Sequence, residues 1–193
     1  MTDINEQIRP AAADAGPSNT PGRKGARGDE LADGALLDLA ELLFFAYRDF
    51  IGEPDQILDE YGFGRAHHRV LHFVSRHPGL RVADLLDILK ITKQSLGRVL
   101  KQLIDDGVIA QEGGKADRRE RLLFPTRRGR ELAERLAAPQ LQRISAALEA
   151  SGAQDKACIA DFLREMVSKD DRGRVDDLAR AKHGGGPAKA RPG

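Results

Sequence analysis

Between Thr92 and Ile104 the chain reads Lys93-Gln94-Ser95-Leu96-Gly97-Arg98-Val99-Leu100-Lys101-Gln102-Leu103. On a helix, Leu96, Val99, Leu100 and Leu103 fall on one apolar face and Lys93, Gln94, Ser95, Arg98, Lys101 and Gln102 point outward. No acid joins the outward set before Asp105, whereas an ordinary solvated face mixes signs. Such a set reads flat polar edges and holds anions. Gln pairs bidentately with adenine and Arg with guanine, Ser meets several edges or a phosphate, and Lys meets phosphate. Gly97 permits close approach of the backbone.

A second group, Lys115, Asp117, Arg118, Arg119 and Arg121, lies between two short apolar runs, 108–112 and 121–126. The runs read as the strands of a hairpin with a long charged tip. Arginine on a thin projecting element suits the narrow minor groove of DNA, whose negative potential attracts it with little need for base hydrogen bonds. Asp117 fits a role in orienting an arginine or the turn better than contact with DNA.

Other reactive side chains are sparse. His68 and His72 stand four apart on one predicted helix face, with His67 and His77 nearby, a spacing that offers two metal ligands. No cysteine or matched acidic cluster completes that set locally, so packing, phosphate contact or a pH effect stands beside it, and no metal or other cofactor is expected. Cys158 is the single cysteine, which excludes an intramolecular disulfide and Cys-x-x-Cys chemistry. Its apolar-patterned helix predicts a buried structural thiol; a redox sensor acting through Cys158 is the alternative. There is no Gly-x-Ser-x-Gly elbow, phosphate loop or dinucleotide glycine motif, so the reading is not an enzyme.

The elements that must position these groups follow from periodicity. Leu36, Leu39, Ala40, Leu43, Tyr47, Phe50 and Ile51 recur at helical spacing and predict a helix over about 31–52. Leu37, Leu42, Phe44 and Phe45 widen its apolar face until it needs cover on more than one side, which points to a second protomer. A helix over about 65–76 stops at Pro78-Gly79, an apolar link 80–82 leads to a helix 83–89, and Lys90-Ile91 breaks the pattern before Thr92 caps the next helix. Two helices joined by so tight a turn form a helix-turn-helix, and a hairpin directly behind it is a wing. Beyond Gly129 the helix period returns, breaks at Gly152 and resumes through Met166.

Charge is separated along 193 residues. Residues 31–62 hold 1 Lys or Arg against 8 Asp or Glu, and residues 63–130 hold 15 against 7, although the whole chain is only +1. A basic middle segment in a near-neutral chain fits one polyanion-binding face. Segments 1–29 and 170–193 lack apolar periodicity and read as disordered tails, the second basic. No apolar stretch is long enough for a membrane span and the first residues lack an apolar signal core, so a cytoplasmic protein, nucleoid-associated when on DNA, is expected.

The order of long apolar helix, helix-turn-helix, wing with Asp117-Arg118-Arg119, strand, and Thr126-Arg127-Arg128-Gly129 opening a long helix resembles the MarR family of winged-helix regulators. The resemblance covers about 31–168 and implies a mainly α fold with a small β-hairpin wing (α+β). A DNA-binding lobe at about 63–128 and dimerisation helices at about 31–52 and 130–168 would lie within one domain, 30–169. It further implies a homodimer of triangular shape, a pseudo-palindromic double-stranded operator, usually repression, and often release by a small aromatic ligand or by oxidation. The family's ligand pocket lies between the dimerisation helices and the lobe, where Phe44, Phe45, Tyr47 and Phe73 are the candidate lining, or else simply core. A winged helix that contacts protein instead of DNA is the alternative. Pro125 departs from the family's usual Leu and removes a ladder donor, which predicts a shortened or freed strand edge.

Overall fold

The computed structural model describes residues 26–114, 119–152 and 155–183. They form α1 (Ala26–Asp59), α2 (Arg65–Arg76), β1 (Leu80–Arg81), α3 (Val82–Leu89), α4 (Lys93–Asp105), β2 (Ile109–Gly113), β3 (Arg121–Pro125), α5 (Arg127–Ala150), α6 (Lys156–Met166) and α7 (Lys169–His183). The class is the expected one, mostly helix with a three-stranded antiparallel sheet in the order β1-β3-β2. The chain divides into a unit ending at Phe44 and a unit beginning at Phe45, which contains everything from the second half of α1 onward.

The core of the second unit is aliphatic. Val70 and Val74 of α2, Leu85 of α3, Leu103 of α4, Val108 just before β2, and Leu123 of β3 are fully buried, and Leu132 and Leu136 of α5 join them. Each such side chain stabilises the fold by about 1.5–3 kcal/mol relative to exposure. The helix-turn-helix is α3 and α4. Its turn begins at Lys90, in the left-handed region at φ 51°, whose N–H still reaches Leu86 O, and ends at Thr92, whose hydroxyl accepts the Ser95 N–H at 3.1 Å. The apolar link before α3 becomes β1, with Leu80 opposite Leu123 and Arg81 opposite Leu122.

Pro125 does not free the strand edge. It stands opposite Ile109 in β2, and the ladder bond beside that pair is carried by Thr126 N–H to Val108 O at 3.1 Å, so the missing proline donor interrupts nothing there. On its other side β1 has already ended at the Leu80–Leu123 pair. The strand therefore keeps its last residue.

Two elements outrun the sequence reading. α1 begins inside the expected tail 1–29 and continues past residue 52 to Asp59 through Pro54. A proline inside a helix leaves the carbonyl four residues back without its donor. That carbonyl is Phe50 O, and Gln140 of α5, only 8% exposed, supplies the missing hydrogen bond from Nε2 at 3.1 Å. α7 occupies 169–183, where the sequence reading has a disordered tail from 170; residues 184–193 and 1–25 of the expected tails lie outside the described residues. α7 lacks an apolar stripe because polar contacts hold it. Asp171 pairs with Lys90, Asp176 with Arg164 at 2.6 Å and Arg174 with Asp87 at 3.3 Å.

Replacing Gln140 with Leu orphans a carbonyl, and the expected loss is about 1–3 kcal/mol in urea unfolding. In a Pro54→Ala background, where α1 regains its own donor, the same change costs far less. Equal losses in both backgrounds would contradict the compensation.

Candidate nucleic-acid interface

α4 presents the face that its sequence requires. Leu96, Val99, Leu100 and Leu103 are buried, and Lys93, Gln94, Ser95, Arg98 and Lys101 are exposed. Among the described residues, Lys93, Gln94 and Arg98 hold no side-chain hydrogen bond or ion pair. Lys101 pairs with Asp105 one turn on, both well exposed, a contact that in water is worth about 0.5 kcal/mol or less. The Ser95 hydroxyl accepts from Thr92 Oγ1 at 2.9 Å and keeps its own proton to donate. Gln102 is a correction. It is half-buried, with Oε1 2.9 Å from His67 Nε2 and Nε2 donating to Gly62 O at 3.2 Å, so it faces the α1–α2 turn instead of solvent.

The hairpin closes beyond its ladder with Gly114 N–H to Glu120 O at 3.0 Å. Arg119 and Arg121 are exposed on it. Lys115, Asp117 and Arg118 lie outside the described residues. Arg81 ties this hairpin to the helix-turn-helix, binding Asp84 through two nitrogens at 2.8 and 2.7 Å and Glu120 at 3.4 Å. Asp84, first, and Glu120 hold its guanidinium charged by raising its pKa. Nothing in the sequence pattern marks Arg81, because its partners lie in different elements.

Behind both elements sits the Thr126-x-x-Gly129 joint. Thr126 Oγ1 accepts Gly129 N–H at 3.0 Å and lies 2.7 Å from Gly107 O, to which it donates. A Cβ on Gly129 would lie 2.0 Å from Val108 O, so only glycine lets α5 start this close to the backbone between α4 and β2. Arg128 adds a bond to Asp106 O at 3.0 Å and Arg130 one to Pro125 O at 2.9 Å.

A cavity of about 380 Å³ opens between α1, α2 and α5, lined among others by Phe50, His68, His72, Ser75, Arg76, Arg130 and Gln140. Its position is near that implied by the family resemblance, but its lining is not. Phe44, Phe45 and Tyr47 are exposed and Phe73 packs against the core, and none of the four lines this cavity. The histidine pair was the available signal: residues four apart on α2 share the face toward α5. The Ser75 hydroxyl is buried without a hydrogen-bond partner. Burial lowers the pKa of His68, against a smaller raising influence of Asp55. Among the described residues no three His, Cys, Asp or Glu gather as a metal set. Cys158 is exposed, not buried, because the apolar residues of α6 have nothing over them in this chain; its N–H bonds the Asp155 cap at 3.1 Å. No helix among the described residues is long and apolar enough to cross a membrane.

A tri-helical core with a three-stranded sheet, a capped and acid-free outward helix and an arginine-bearing hairpin defines a winged helix-turn-helix protein. The model of the MarR family matches residues 61–120. Over 137 residues, 71% of this chain and 82% of the relative, the sequence is 46% identical to the HTH-type transcriptional regulator PetP of Rhodobacter capsulatus. The chain belongs to the MarR family and is a transcriptional regulator of that type. Its fold is shared with NadR, solved in complex with 4-hydroxyphenylacetate (TM-score 0.56, 20% identity, 78% of this chain and 96% of that one). It is shared too with a MarR mutant from E. coli solved with operator DNA (TM-score 0.50, 18% identity, 68% and 94%).

The lowered His68 pKa has a definite sign in stability. Between the folded value and about 6.5 the unfolded chain binds a proton that the folded chain resists, so stability falls as pH drops through that window. Urea midpoints for the native chain should fall below about pH 6.5, and His68→Gln should flatten that fall. Identical slopes in both proteins would contradict it.

Proposed function

We propose that the chain is a sequence-specific DNA-binding regulator, a repressor acting as a homodimer on a pseudo-palindromic operator in the cytoplasm. The observation that carries this is the outward face of α4: Lys93, Gln94 and Arg98, which have no side-chain partner among the described residues, on a helix fixed by four buried aliphatic side chains. Gln94, Ser95 and Arg98 meet base edges in the major groove, Lys93 and Lys101 hold phosphates, and Arg119 with Arg118 enters the minor groove, with Lys115 and Arg121 beside them. Two such helices, one per protomer, reach successive major grooves about 34–36 Å apart, which requires an inverted repeat.

The homodimer rests on apolar surface that a soluble chain does not leave uncovered. Leu36, Leu37, Leu39 and Leu42 on α1, Leu141 and Ile144 on α5, and Phe162, Leu163 and Met166 on α6 are all exposed. A second copy supplies matching apolar surface by symmetry.

The effector belongs in the α1–α2–α5 cavity. Apolar walls from Leu71, Leu136 and Ile144 accept an aromatic ring, while Arg76, Arg130 and the unpartnered Ser75 hydroxyl offer an anionic group its contacts. The fold neighbour crystallised with 4-hydroxyphenylacetate supports a ligand of this class.

The base-reading and phosphate roles separate experimentally. Arg98→Ala should cost about 1–3 kcal/mol of discrimination at one base pair, and Lys101→Ala should weaken all duplexes alike and lower the salt slope by about 1. Anisotropy titrations on DNA from upstream of the gene and on scrambled DNA check both. Equal losses on the two duplexes for both variants would refute the assignment.

A further inference from the structure

His67 and Gln102 form a closed path of hydrogen bonds between the α1–α2 turn and the middle of α4. Gly64 N–H donates to His67 Nδ1 at 3.1 Å, which places the ring proton on Nε2. That proton points to Gln102 Oε1 at 2.9 Å, and the Gln102 amide nitrogen returns to Gly62 O at 3.2 Å. Only this ring tautomer and this amide orientation satisfy all three contacts at once. The ring also stacks on Phe63 at 4.9 Å and 8°. Phe63 stacks on Tyr61 at 5.8 Å, and Arg128 and Arg135 of α5 cover Tyr61. Gln102 lies one turn along α4 from Arg98.

We infer that His67 is a positioning residue for the DNA-reading helix: its neutral ring, protonated on Nε2, clamps α4 to the α1–α2 turn, and a second proton opens the clamp and weakens DNA binding. The inference rests on the reading of α4 given above. A proton on Nδ1 would face the Gly64 N–H, donor against donor, and would eject the ring from that contact. Among the described residues, no acid hydrogen-bonds or ion-pairs with the ring, whose polar contacts are Gly64 N–H and Gln102 Oε1. On the turn side Glu60 is taken by Arg135, on α1 Asp55 by Arg65, and on α4 Asp105 by Lys101. The cations of α5, Arg128 and Arg135, lie beyond Tyr61 and add only repulsion.

The predicted direction is opposite to ordinary electrostatics. Protonating histidines adds positive charge and by itself tightens binding to phosphates, whereas opening the clamp loosens it. The test uses the full chain and duplex DNA from upstream of its gene. Nitrogen-15 spectra of the histidine rings at pH 7.5 should show His67 protonated on Nε2; protonation on Nδ1 overturns the proposal without any variant. In anisotropy titrations, affinity of the native chain should fall by roughly fivefold or more from pH 7.5 to 5.5, the scale of a modest coupling between sites. His67→Gln keeps a side-chain acceptor for the Gly64 N–H, as glutamine at the third helix position does, and does not titrate. It removes the ring's bond to Gln102 Oε1, so it should bind DNA more weakly than the native chain at pH 7.5 and lose no further affinity at pH 5.5. The same acid loss in His67→Gln, or no loss in the native chain, overturns the clamp. A native chain that binds no duplex at either pH, with the Nε2 tautomer present, instead overturns the reading of α4 and takes the proposed effect on DNA with it.

Discussion

The approach of Gly129 to the Val108 carbonyl is the contact on which the lobe depends. At that point the end of α4, the start of β2 and the first turn of α5 meet within one hydrogen-bonded knot. Gly107, at φ 66°, turns the chain out of α4, Val108 O accepts from Thr126 N–H, and the Thr126 hydroxyl caps α5. A methyl group at position 129 would sit where the carbonyl oxygen already is, and a backbone carbonyl in a strand start has no rotamer to escape into. The reading helix, the hairpin and the long helix behind them therefore share one fixed origin.

From that origin the chemistry of the surface follows by subtraction. Four aliphatic side chains of α4 are consumed by the core and Gln102 by His67, and Asp105 answers Lys101. Lys93, Gln94, Ser95 and Arg98 are left turned outward. Several arginines elsewhere in the lobe have structural partners: Arg81 serves Asp84, Arg65 serves Asp55, and Arg128 and Arg130 serve backbone carbonyls. A basic segment has thus been sorted by the fold into cations that hold the lobe together and cations that remain available to an anion.

The helix-turn-helix and hairpin were legible because their signals are local. Leucine spacing, Pro78-Gly79, the Thr92 cap and Gly107 all act within a few residues of themselves. What escaped the sequence depends on partners far along the chain. α1 passes Pro54 only because Gln140, 90 residues from Phe50, replaces the lost donor. Gln102 looked outward by helical phase, yet a histidine 35 residues earlier turns it inward. α7 is held by ion pairs to α3, the turn and α6, and hydrophobic periodicity is blind to that. The cavity is lined by His68 and His72 together with Phe50, and not by Phe44, Phe45 or Tyr47, for the same reason: which face of α2 meets α5 is decided by packing.

The central claim is that the outward face of α4 engages DNA in a sequence-dependent way, and a salt series tests it most directly. The native chain is titrated by fluorescence anisotropy onto DNA from upstream of its gene and onto a scrambled duplex at several salt concentrations. The account predicts tighter binding to the upstream duplex, with log affinity falling against log salt by about 0.9 for each phosphate neutralised. Absence of binding to either duplex at low salt would contradict it, and would hand the same face to a protein partner.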